Sequence, residues 1–116
     1  MNDETYENLK AALAEEERLF AKLYRVAREY DAIDFDESGF YDEEAQRCER
    51  HWNTLAMKVA EALRGRLDGA EVRLLKNSEP NICTLRFDIT TADATTRLSV
   101  DYATEGQIAI SREMLA

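Results

Sequence analysis

Proline occurs once, at Pro80, and glycine only four times in 116 residues. That scarcity leaves no low-complexity or Pro/Gly-rich linker. At ~100–200 residues per domain the chain reads as one domain, 1–116. His51 is the single histidine, so nucleophilic catalysis has one candidate base, and no serine sits in a strand-to-helix elbow. No Gly-x-Gly arrangement is present to cradle a phosphate, and no cofactor is expected. A run of about 18 apolar residues is also missing, and Met1-Asn2-Asp3-Glu4 carries no basic leader, so the expectation is a cytoplasmic protein without a membrane segment. The two cysteines, Cys48 and Cys83, each fall on an apolar face and read as buried thiols rather than a disulfide or redox pair.

Positive charge is what the first part of the chain has least of. The protein carries a net charge of −9, and the first 45 residues account for all of it, with 14 acidic and five basic side chains. Residues 29–44 hold eight carboxylates and no lysine or arginine. A block of one sign repels itself, so it stays solvated or meets something positive. The same excess disfavours direct binding of nucleic acid, whose phosphates require basic groups facing them.

Apolar residues recur by sevens over the first segment. Tyr6, Leu13, Phe20 and Ala27 form one row, Ala12, Leu19 and Val26 another, and Leu9, Glu16, Leu23 and Tyr30 a third, in which Glu16 is the one interruption. One helix over about 3–30 is predicted, begun by an N-cap at Asn2 or Asp3. Glu16 is expected either at the edge of the packed face or opposite a cation such as Lys58. A second helix over about 41–67 follows from Ala45, Cys48, Trp52, Leu55, Ala56, Val59, Ala62 and Leu63, with Gly69 beyond its end. Two such helices joined by ~10 residues read as an antiparallel hairpin.

Beyond Gly69 the period changes to two. Cys83, Leu85, Phe87 and Ile89 alternate with Thr84, Arg86 and Asp88, and Leu98, Val100 and Tyr102 with Arg97, Ser99 and Asp101. Strands over about 70–77, 82–90, 95–103 and 107–112 form an antiparallel meander. If Thr90 opposes Thr95, then Phe87 opposes Leu98, Leu85 opposes Val100 and Asp88 opposes Arg97, so each face receives a matched set. The outer face, with Arg73, Leu75, Arg86, Asp88, Arg97, Asp101 and Ser111, is mixed in sign and reads as solvated. The apolar face needs a cover, which only the helices can supply. The expected fold is α+β: two long helices, as a hairpin, packed on one face of a four-stranded antiparallel meander, in the order α-α-β-β-β-β. Helices of ~26–28 residues are ~40 Å long and strands of ~8 residues reach ~27 Å, so the loop end of the hairpin is expected to project.

That end is where the sequence concentrates its candidate site. Asp31, Asp34, Asp36, Glu37, Asp42 and Glu43 supply charge, and Phe35, Phe40 and Tyr41 are aromatics that no apolar periodicity requires. Residues 34–45 also resemble the calcium loop of the EF-hand family. Asp34, Asp36 and Ser38 match its first side-chain ligands, Gly39 its turn glycine and Asp42 its water-mediated ligand. The resemblance implies calcium affinity, but Ala45 stands where the family has a bidentate Glu, and Glu44 comes one residue early. Glu44, Cys48 and His51 share a helical face at metal-site spacing, although Cys48 reads better as core.

The reading preferred from the residues is a non-enzymatic protein-binding module, of the type of small inhibitors, immunity or anti-CRISPR proteins and nucleic-acid mimics. Its acidic, aromatic tip would dock on a basic protein surface, such as that of a nucleic-acid-binding protein. The alternatives are a calcium-binding module and a homodimer formed through the apolar stripe of the helices.

Overall fold

Asn2 opens the first helix: its side-chain oxygen accepts a hydrogen bond from the Thr5 amide at 2.8 Å, and Asp3 and Glu4 complement the dipole of the first turn. In the computed structural model, which describes residues 1–33, 40–76, 81–92 and 94–115, with the side chains of 40–42 outside that description, this helix is α1, Asp3–Ala14. It stops at Glu15, and α2, Glu17–Asp31, begins after Glu16. The single helix expected over 3–30 is therefore two. At the break the Glu15 amide is shared between the Ala11 and Ala12 carbonyls, and the Glu16 amide turns tightly back to Leu13 at 3.0 Å. The cause is visible in the heptad rows. An unbroken helix would set the Glu16 carboxylate in the row of Leu9, Leu23 and Tyr30, all buried, where an unpaired charge is costly. The turn leaves Glu16 half-exposed, and among the described residues neither it nor Lys58 forms an ion pair.

The third helix, α3 (Phe40–Arg64), ends three residues before the expected limit and buries Ala45, Cys48, Trp52, Leu55, Ala56, Val59, Ala60 and Leu63. Gly69, at φ +72°, takes the backbone conformation that L side chains resist and turns the chain into the sheet. Arg64 fastens this corner, donating from Nη2 to the Val72 carbonyl at 2.9 Å.

The strands are β1 (Glu71–Leu75), β2 (Thr84–Thr90), β3 (Thr95–Thr104) and β4 (Gln107–Leu115), in the antiparallel order β1-β2-β3-β4. The register is the expected one: Thr90 opposes Thr95, Phe87 opposes Leu98, Leu85 opposes Val100 and Asp88 opposes Arg97. Val72, Leu85, Phe87, Ile89, Leu98, Val100 and Tyr102 bury the inner face under the helices. On the outer face Arg73, Asp88, Arg97 and Glu113 lie in one cross-strand row of alternating sign. Asp88 is gripped by both forks of Arg97, at 2.9 and 3.1 Å, which holds its carboxyl below the ordinary value. Helices on one face of an antiparallel sheet make this an α+β protein, in the order α-α-α-β-β-β-β.

Two further consequences bear on function. The apolar stripe of α1 and α2 is buried in the same cluster as the sheet's inner face. The expected mismatch in length is also smaller than the sequence suggests. With ten residues β3 reaches ~33 Å, against ~37 Å for the 25 residues of α3.

Candidate functional site

The end of α2 and the start of α3 meet around a small apolar plug of Tyr30, Ile33, Ala45 and Cys48, all buried in the common core. Burial, reinforced by the charge of Glu29, pushes the Cys48 thiol above its ordinary value, with Arg47 acting in the opposite sense. Glu29, Asp31, Glu43 and Glu44 stand exposed around the plug. Among the described residues none of these four forms an ion pair within 4 Å. Glu43 and Glu44 line a shallow depression with Arg47 and Arg50, on the next turns of the same helix.

Of the sequence-derived site, then, Asp31 and Glu43 are placed at one end of the helical layer. Phe40, Tyr41 and Asp42 form the first turn of α3, their side chains outside the description, while Asp34, Phe35, Asp36 and Glu37 lie outside the described residues altogether. The end of α2 is met by the turn that leads into β2, where the Asp31 Oδ1 atom accepts a hydrogen bond from Asn81 Nδ2 at 3.5 Å. Ala45, in the position of the missing calcium ligand, is 6% exposed and faces the core, whereas Glu44 is exposed. Glu44, Cys48 and His51 do not converge either, since Cys48 is buried and the other two are exposed. Among the described residues no group of three side chains is placed to hold a metal ion. Cys83, the other thiol, is half-buried and raised by its burial and then by Asp101 and Asp31; neither cysteine forms a disulfide.

The sequence reading missed a second charged feature. Arg18, Lys22 and Arg25 recur at i, i+4 and i+7 on α2, and Arg47, Arg50, Thr54 and Lys58 at similar spacing on α3. At about 100° per residue each set occupies the exposed side of its helix, opposite the buried stripe. All six cations are exposed, and among the described residues none is ion-paired within 4 Å. Counting charge by segment averaged this band away, because Glu29, Glu43 and Glu61 flank it at its ends; spacing along each helix would have revealed it.

No family model, curated protein or solved structure matches this chain. Among the described residues no helix is long and apolar enough to cross a membrane.

Proposed function

We propose that this chain is a protein-binding module that docks the acidic end of α2 and α3 on a basic surface of another protein. The observation that carries the proposal is the exposure of Asp31, Glu43 and Glu44, without an ion pair among the described residues, at the junction of two helices in the segment that holds the whole net charge of −9. Unpaired carboxylates in one place create a field that steers a cationic partner and speeds its association. Phe35, Phe40 and Tyr41 lie in the same stretch of sequence and would add contact area at little entropic cost. A partner that ordinarily binds nucleic acid is the most specific version, with the acidic end standing in for phosphates. Inhibitor, immunity-type and mimic roles all use this chemistry.

The test is capture from a host extract by wild-type protein and by a variant in which Asp31, Asp34, Asp36 and Glu43 are changed to Lys. The proposal expects basic proteins to be retained at moderate salt by the wild type and lost by the variant. Identical retention by both would exclude it.

A further inference from the structure

The break between α1 and α2 coincides with a cleft. Its cavity, of about 210 Å³, lies between the helix junction and the β3–β4 turn, where Gly106 adopts φ +79°. The inner wall is Leu13, Phe20, Tyr102 and Ile108, with the Phe20 and Tyr102 rings 6.4 Å apart and tilted by 41°. Tyr24, half-buried, adds a third ring from the next turn of α2. Glu17, Thr104 and Gln107 are exposed at the mouth, and Glu17 is the one formally charged residue among those that line the cleft.

We infer that this cleft binds a compact aromatic amine in its cationic form. At ~30 Å³ per water the cavity has room for about seven waters, below the range of drug-sized pockets, so the ligand is small. Apolar depth with a polar mouth selects an amphiphile, seated ring-first. The charge at the mouth selects its sign. Glu17 forms no ion pair within 4 Å among the described residues, so its carboxylate is available to an ammonium group. The first turn of α2 attracts anions through its dipole, but Glu17 already occupies that position, and the net charge of −9 opposes a second negative group.

The cleft and the acidic end are separate, so amine binding and partner docking can each fail without the other. The experiment is a titration of ¹⁵N-labelled full-length protein, read by amide chemical shifts, with phenethylamine, its neutral isostere 2-phenylethanol and phenylacetate as probes. Saturable phenethylamine shifts are expected at Ala21, Tyr24, Gln107 and Ile108, with weaker binding of the alcohol and none of phenylacetate. Glu17→Gln, at an exposed position, should weaken the amine about fivefold and bring it towards the alcohol. Ala21→Leu, which fills the cleft from α2, should abolish binding of both. No shifts at about 10 mM amine, shifts away from the cleft, equal binding of phenylacetate, or an unchanged amine affinity in Glu17→Gln would each overturn it.

Discussion

Trp52 Nε1 donates a hydrogen bond to the Tyr102 hydroxyl at 2.9 Å, and this contact joins α3 to β3 across the interior. Both side chains are almost wholly buried, at 3% and 1% exposure, so the indole N–H has no access to water if the hydroxyl is removed. Tyr102→Phe should therefore cost about 1–3 kcal/mol, the penalty of a buried donor left unpaired, with little change in contact area. Urea unfolding followed by tryptophan fluorescence measures this directly, because Trp52 is the sole tryptophan.

The same tyrosine makes the fold sensitive to alkali. Burial pushes the Tyr102 hydroxyl from 10.0 up to about 12, against the opposing effect of the Trp52 hydrogen bond. A folded value above the unfolded one means that the stabilisation is complete below pH 10.0 and is lost as pH rises through about 12. Stability should fall steeply across that window in wild type and more gently in Tyr102→Phe. Equilibrium unfolding at several pH values, with tyrosinate absorbance as a second reading, checks it.

Glu16 is the residue that divides the first helix. Glu16→Leu supplies the missing member of the row of Leu9, Leu23 and Tyr30 and removes the need for its carboxylate to reach water. The expected outcome is a continuous helix through the junction and a gain of about 1 kcal/mol, less than the ~1.5–3 kcal/mol of full leucine burial because the site is half-exposed. Circular dichroism reads the added helical signal, and denaturant midpoints read the stability. Because α1 and α2 both line the cleft, the variant should also alter amine binding there.

Asp88 and Arg97 belong to a row rather than to an isolated pair, with Arg73 and Glu113 on either side. Exchanging them by Asp88→Arg with Arg97→Asp keeps the pair but sets the new arginine against Arg73 and the new aspartate against Glu113. The exchanged protein should melt below wild type, whereas an isolated pair would tolerate the swap. Acid titration gives a second check. The depressed Asp88 carboxyl contributes stability that is present above its unfolded value of 3.8 and is lost as pH falls below it, so Asp88→Asn should differ from wild type at neutral pH and converge with it in strong acid.

Much of this architecture was legible in the residues themselves. The change from seven-fold to two-fold periodicity at Gly69 separates helices from strands. Alternation in 84–90 and 95–102 then sets the register, since a slip of one residue would turn Phe87 and Leu98 out to water and Asp88 and Arg97 into the core. Net charge and its concentration in the first 45 residues are likewise properties of the chain alone. Glu16 was visible as an irregularity, yet its consequence was not: a charged residue on an apolar stripe can be paired, pushed to an edge or placed in a turn, and only the packed neighbours decide which. The meeting of the α1–α2 junction with the β3–β4 turn, which makes the cleft, was decided in three dimensions. Sequence spacing fixes which side chains share a face of one element, because that follows from local backbone geometry. Which faces meet, and what space they leave between them, depends on contacts between residues up to about a hundred positions apart, such as Tyr6 with the Ile110 carbonyl, and no local pattern encodes those.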